Sequence, residues 1–395
     1  MNRRQSICTK VAVFQIKLTI FAGLFNKDKK MKISKIISLT IIAACVMAAV
    51  SCKKDDDSTA LPSLGGTLSF YAPLFIEPGQ TLTMTPSGVE HPADKGLGYY
   101  WTVAPVMDDM DTTRLENGLS PEGLETDGSF TYTFPDSLAV YIVRAYAFAE
   151  GYTGKSGERY VTTVKPGLDG SLTNTGIKAS DAHITVDGQD YYYHRIGDLE
   201  WFRNNVARKV GGAPYSNAEI MTNVFGRFYN YEDALKACPE GWRLPTEEDW
   251  LALGAALNAS SEKYGTVPGV AARLMADSQF NGVTMWEYWP EVGSITNESK
   301  FSAVPAGYMN LGEEVDGAYP EANSYGVYEY AAFWTADSVE DDDAMAYYRY
   351  IVANQPDLFI TKGDKKNFGA SVRCVRNVEN SFIIDDQWDK PEDLQ

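Results

Sequence analysis

Side chains able to do chemistry are few in this 395-residue sequence. It has three histidines, His91, His183 and His194, and none has a second at metal-ligand spacing. His91 stands in a Glu-His-Pro turn and reads as a surface residue. No Gly-x-Ser-x-Gly supplies a nucleophile. Asp341-Asp342-Asp343 could hold a cation by charge, but three consecutive carboxylates on a strand cannot all face one site, so a solvated loop is the plainer reading. These residues predict no catalytic group, no bound metal and no cofactor. Aromatic rings are abundant instead. Trp286-Glu287-Tyr288-Trp289-Pro290, then Tyr308, Tyr319, Tyr325, Tyr328 and Tyr330, lie among many Gly, Asn and Ser. Rings beside amides and carboxylates suit the C–H faces of sugars or the side chains of a peptide. Trp286, Tyr288 and Trp289 are therefore the candidate ligand-binding residues; the competing reading is that such rings fill a fold short of regular secondary structure.

Of the five cysteines, Cys8, Cys45 and Cys52 lie in the first 52 residues, leaving Cys238 and Cys374 for the folded body. In an exported chain the two suit a disulfide closing a loop of about 136 residues, with separate buried thiols as the alternative. Export is what the leader predicts. Lys32 and Lys35 precede Ile36 to Val50, an apolar run too short for the roughly 20 residues of a spanning helix and suited to a signal peptide. Met31-Lys32 looks like a natural start, which makes residues 1–30 an upstream extension. Ala48-Ala49-Val50-Ser51-Cys52 resembles a bacterial lipobox, with Cys52 as the lipidated residue. Lys53-Lys54-Asp55-Asp56-Asp57 looks like the charged segment that directs lipoproteins of Bacteroidota to the outer face of the outer membrane. An acyl anchor attaches a protein to a membrane without spanning it.

The first 52 residues hold nine Lys or Arg against one Asp, so the remainder carries 26 basic and 52 acidic side chains. A surface that negative repels nucleic acid and anionic membrane. Residues 53–66 read as a tether rich in Ser, Pro and Gly toward its end. From residue 67 to 166 short apolar or alternating runs, including Leu68–Tyr71, Thr81–Met84, Tyr99–Val103, Phe130–Phe134, Ala139–Ala147 and Tyr160–Val164, are divided by turn residues. About six or seven strands in roughly 100 residues predict an all-β sandwich. Trp101 and Tyr141 look like the paired aromatic core of immunoglobulin-like and PKD-like domains, although the acidic Gly-Asp-Gly turn of many PKD repeats is missing.

Pro166 to Ser171 marks a boundary. Beyond it, His183–Val186 and Tyr191–Ile196 flank Asp187-Gly188 as a hairpin. Tyr231–Ala237 reads as a helix stopped by Pro239 and Gly241, and Thr246 as the N-cap of a second, with Asp249 as acidic partner. Val267–Ala276 reads as a third helix. Strands and long turns follow from Phe301, and an acidic tail covers residues 379–395.

Five blocks, in order, carry a resemblance: Ile196-Gly197-Asp198 with Glu200-Trp201 and Asn205; Cys238-Pro-Glu-Gly-Trp-Arg-Leu-Pro-Thr246 with Glu248 and Trp250; Phe301-Ser-Ala-Val-Pro-Ala-Gly307; Phe333-Trp334-Thr335; and Ser371-Val-Arg-Cys-Val-Arg376. Residues 180–378 resemble the Fibrobacter succinogenes major paralogous domain, with Val206 where the family usually has Leu. The resemblance implies an α+β fold related to C-type lectin-like domains, in which a cysteine after the first helix pairs with one on the last strand, as Cys238 and Cys374 could. It implies core roles for Trp242, Trp250, Trp334, Phe301 and Pro305, and no reaction. Gln355-Pro356-Asp357 matches a tripeptide with which galactose-type C-type lectins ligate calcium and sugar, but the later Trp-Asn-Asp is absent and a hairpin turn uses the same residues. Formylglycine-generating enzymes, a related fold, need free cysteine thiols and copper.

The sequence thus predicts a multidomain chain, an immunoglobulin-like or PKD-like sandwich followed by a C-type lectin-like domain. We expect a non-catalytic, outward-facing outer-membrane lipoprotein that binds a glycan or a surface protein and not nucleic acid. A structural or assembly component of the cell envelope or an appendage is the alternative, and a formylglycine-generating-like enzyme a more distant one.

Overall fold

The computed structural model describes residues 61–106, 124–126, 128–286 and 293–378. Cys52, Tyr288, Trp289 and the acidic tail lie outside the described residues. The chain divides into two compact, β-rich units. The first contains the N-terminal part up to Thr173 together with Ala218–Val224 and Ser278–Met285; the second contains the rest.

In the first unit, a five-stranded sheet has the order Phe75–Ile76, Lys155–Thr163, Val140–Phe148, Gly98–Pro105, Leu124–Thr126. Only its first pairing is parallel. Two ribbons, Gly65–Ser69 with Ser87–Glu90 and Thr81–Met84 with Phe130–Thr133, complete it. Period-two alternation sends Val143, Ala145 and Ala147 into one core, where Trp101 and Tyr141 are both buried. They are joined through other rings: Trp101 stacks on Phe130, and Phe130, Tyr132, Phe134 and Tyr141 follow at 5.1 to 5.9 Å. On the outer face of the second ribbon, Thr81 and Thr83 share hydroxyl hydrogen bonds with Thr133 and Thr131 at 2.7 and 2.8 Å. His91 is not on the surface. It is 9% exposed, its Nδ1 accepts the amide of Ala93 at 3.0 Å, and its ring meets Tyr152 edge-on, because the Pro92 turn folds it inward.

Two later stretches of chain belong to this unit. Gln279–Phe280 pairs with Leu172–Thr173 and with Val283–Thr284, and the Asn281 side chain donates to Thr163 O at 2.9 Å. Glu219–Met221 lies beside Phe75–Ile76.

The second unit opens with His183–Val186 and Gln189–Ile196, whose turn places both Asp187 and Gly188 at positive φ as a two-residue hairpin requires. Leu199–Phe202 continues the sheet, and the final strand Val375–Asn377 closes it. A second sheet consists of Tyr330–Val339, Asp342–Val352 and Phe359–Asp364. A third sets Tyr308–Asn310 between Asn323–Tyr325 and Phe368–Gly369.

After a single helical turn at Thr222–Phe225, the first of the longer helices, Tyr231–Ala237, is N-capped by Asn230, which accepts the Asp233 amide. The second, Glu247–Ala256, starts with a reciprocal capping box: Thr246 accepts the Asp249 amide and Asp249 accepts that of Thr246. Aspartate reaches where glutamate is usual because it is also held by Arg243. The expected third helix shortens to Ala271–Leu274. Val267 is taken instead by a bridge to Leu358, and Pro268 and Gly269 delay the helix until Ala271 donates to Pro356 O.

Two apolar clusters lie on opposite faces of the strand Tyr330–Val339, Ala331 and Phe333 pointing into one and Ala332 and Trp334 into the other. Trp201, Trp250, Phe301 and Phe333 fill one, and Tyr191, Phe202, Trp242 and Trp334 the other. Arg373 is buried and donates only to neutral acceptors, Asn205 Oδ1 at 2.7 Å and the carbonyls of Phe202, Phe301 and Ser302 at 2.6 to 3.1 Å, with its plane over the Phe301 ring. Burial, with the nearby Arg203 charge, disfavours its charged form. Cys238, just beyond the first helix, is bonded to Cys374, just before the last strand, with 5.6 Å between their Cα atoms.

Candidate functional site

The second unit carries its aromatic surface on strands brought together from distant parts of the sequence. Side chains on a strand alternate between faces, so Tyr308 and Asn310 share one face while Met309 enters the core, 1% exposed. Register places Tyr325 opposite Tyr308 and Asn323 opposite Asn310. On the neighbouring sheet the same rule puts Tyr348 and Tyr350 on one face, with Phe359 opposite Tyr350.

These rings form a continuous ridge. Tyr325 stacks on Tyr308 at 5.7 Å, Tyr308 meets Tyr330 edge-on at 5.6 Å, Tyr330 stacks on Tyr350 at 4.9 Å, and Tyr350 stacks on Phe359 at 5.3 Å. Phe368 and Tyr348 support it from below, stacked on each other at 4.4 Å. Tyr325 is 48% exposed, and Tyr308, Tyr330, Tyr350 and Phe359 are half-buried. Burial raises the Tyr330 phenol, and the adjacent Tyr348 and Tyr350 raise it further, so it stays a neutral hydrogen-bond donor and acceptor throughout the physiological range. Beside the exposed end stand Asn310 and Asn323, both exposed; the Asn323 side chain donates to Glu321 O at 2.7 Å and keeps its amide oxygen as an acceptor. The chemistry on offer is stacking of an apolar face combined with hydrogen bonding to amides.

The tryptophan expected to lead this surface is elsewhere. Trp286 is 2% exposed, its indole donates to Ala303 O at 3.3 Å, and it packs with Trp201, Trp250 and Phe301. It is a core residue and offers no face to a ligand. Tyr319 is also buried, donating to Glu314 Oε2 at 3.2 Å, with its hydroxyl pushed up to about 12 by burial and then by neighbouring acidic groups. Asp357 accepts the Gly269 amide at 2.8 Å, and Gln355-Pro356-Asp357 forms the connection between Asp342–Val352 and Phe359–Asp364. Asp341, Asp342 and Asp343 lie exposed at the tip of the preceding hairpin. The sequence reading missed Tyr350, Phe359 and Asn310. A period of two through Tyr348-Arg349-Tyr350 and Tyr308-Met309-Asn310 is the local signal that points to them.

The family model of the Fibrobacter succinogenes major domain matches residues 195–376. Those residues are a domain of that family. The match runs from the end of the first hairpin to the last strand, and contains both cysteines and every strand of the ridge. No curated protein and no solved structure matches the chain.

Proposed function

We propose that the chain is a non-catalytic surface lipoprotein whose Fibrobacter succinogenes major domain binds a glycan through the tyrosine ridge. The observation that carries this reading is the run of five rings in contact from Tyr325 to Phe359, three of the contacts stacked and one edge-on, open at one end beside Asn310 and Asn323. A pyranose presents an apolar C–H face and a rim of hydroxyls, and an exposed ring flanked by amides complements both. The C-type lectin-like reading is supported by the bond from the end of the first helix to the last strand and by the pairing of first and last strands of the domain. An immunoglobulin-like or PKD-like reading of the N-terminal unit is supported by its antiparallel strands around Trp101 and Tyr141.

The test is a glycan-array screen of the purified chain, with calcium and with chelator, followed by titration of the best ligand. Tyr325→Ala is expected to weaken that ligand about tenfold or more, as loss of one stacking ring does, with an unchanged melting temperature. Absence of any glycan binding, or equal binding by Tyr325→Ala, overturns the ridge; binding lost only on chelation moves the site to Gln355-Pro356-Asp357. Anchoring is tested separately. Cys52→Ser is expected to move the chain from the membrane fraction to the soluble fraction of cells, and retention of the variant in membranes overturns lipidation at Cys52.

A further inference from the structure

The tyrosine ridge ends at Tyr325, on an edge strand that carries further side chains in line with it. Asn323–Tyr325 is the outermost strand of its sheet and pairs with Tyr308–Asn310. Period two sends Glu321, Asn323 and Tyr325 to one face; all three are exposed, while Ala322 and Ser324 between them are half-buried. Tyr308 lies opposite Tyr325 and Asn310 opposite Asn323. Gly312 continues the series opposite Glu321, since a methyl added to Gly312 would meet the Glu321 Cβ at 3.5 Å. The face thus holds three rungs in line. The first is aromatic, the second has two amides, and the third sets a carboxylate beside a glycine that has no side chain to cover it.

Charge along these strands has one sign. From Phe301 to Tyr348 the sequence has ten Asp or Glu and no Lys, Arg or His. Four of those carboxylates, on Glu313, Glu314, Asp316 and Glu321, belong to the connection between the two strands and are exposed. Glu314 Oε2 accepts the Tyr319 hydroxyl, whereas among the described residues the Glu321 carboxylate makes no ion pair and no hydrogen bond. The cations nearest in register are Lys365 and Lys366, before Phe368 on the other side of Tyr308–Asn310; the Lys365 ammonium lies 5.2 Å over the Tyr231 ring. With Lys366 counted against the four carboxylates, the open end of the ridge remains negative. A field of that sign repels uronates and other anionic glycans, most strongly at low salt.

We propose that the ridge takes a chain of amino sugars with free, protonated amines, an inference that rests on the glycan-binding reading above. One sugar stacks on Tyr325, the next sets its hydroxyls against Asn310 and Asn323, and a third lies over Gly312 with its ammonium on Glu321. The requirement for a chain comes from length. Four residues of strand separate Tyr325 from Glu321, about 13 Å by strand rise, which is more than one sugar ring spans. Gly312 leaves the third sugar its place, because a side chain there would stand against Glu321. Glu321 and the ammonium both stay in water, so the pair adds little affinity and acts chiefly as a selector between amine, neutral and acidic chains.

The experiment is calorimetric titration of the full chain with the β-linked trimers of glucosamine and of N-acetylglucosamine, and with glucosamine itself, at about pH 6, where an amine is protonated. At low salt the glucosamine trimer is expected to bind about threefold to fivefold more tightly than the acetylated one, the size of an exposed ion pair. Added salt should shrink that preference, and in Glu321→Gln the two trimers should bind alike. Acetylated trimer bound as tightly by the native chain, a preference that survives Glu321→Gln, or glucosamine bound as tightly as its trimer overturns the inference and leaves the ridge in place. Failure to bind either trimer overturns it too, and the ridge then stands or falls on the glycan array. Equal binding of the trimers by Tyr325→Ala and the native chain overturns both.

Discussion

Glu247→Gln is expected to destabilise the second unit by about 3–5 kcal/mol, the usual cost of removing one partner from a buried ion pair. Glu247 is the first residue of the second helix, and its side chain and that of Arg349 on the strand Asp342–Val352 are both fully buried. Arg349 Nε donates to Oε2 at 3.1 Å and Nη2 to Oε1, while Nη1 reaches Gly265 O at 2.7 Å. Oε1 also accepts the Tyr264 amide at 3.0 Å. The pair therefore fastens helix, sheet and the connecting loop at one point. Gln keeps the shape but removes the charge and turns an N–H₂ toward the guanidinium, leaving Arg349 charged without a counter-ion. At roughly 2–4 °C per kcal/mol for a unit of this size, the melting temperature should fall by about 6–20 °C. Circular dichroism during heating and urea titration read the change, and a loss below about 1 kcal/mol would show that the pair does not act in this way. The paired variant Glu247→Leu with Arg349→Met should recover much of the loss, because no unpaired charge remains.

Removing the bond between Cys238 and Cys374 is the second large effect. The two are 136 residues apart, and the loop-closure model gives about 5 kcal/mol for a loop of that length, within the range of roughly 2–5 kcal/mol seen for native disulfides. Cys374 is buried among Phe202, Trp242 and Val372, while Cys238 is only partly buried at the edge of the same cluster. The double variant Cys238→Ala with Cys374→Ala is expected to lower the urea midpoint by the corresponding amount while leaving the denatured baseline unchanged. Free thiols at both positions in non-reduced peptides of the native chain, found by mass spectrometry, would remove the premise.

Much of the scaffold was legible because its signals are local. Asp187-Gly188 sets a two-residue turn, Thr246 with Asp249 starts a helix, and Pro239 and Gly241 end one, each through backbone geometry that neighbouring residues impose. The cysteine pair was legible through the family blocks. Trp286 was misplaced because composition cannot distinguish a ring on a loop from one folded into the core; only Ala303, reached from another part of the chain, decides it. The ridge fared likewise. Tyr308, Tyr325, Tyr330, Tyr350 and Phe359 come from five strands, and their order depends on strand registers that no short window encodes.

The assignment of Ala218–Val224 and Ser278–Met285 to the first unit has a consequence for how the protein can be divided. The chain crosses between its units five times, so no single cut separates them. A fragment ending at Thr173 lacks the strand that pairs with Leu172–Thr173, and one beginning at Asn174 carries two segments bereft of their host. The two units are thus laced into one heritable piece: a protease that nicks one loop leaves the two tied together, and shuffling the domain to a new neighbour requires those two segments to change with it.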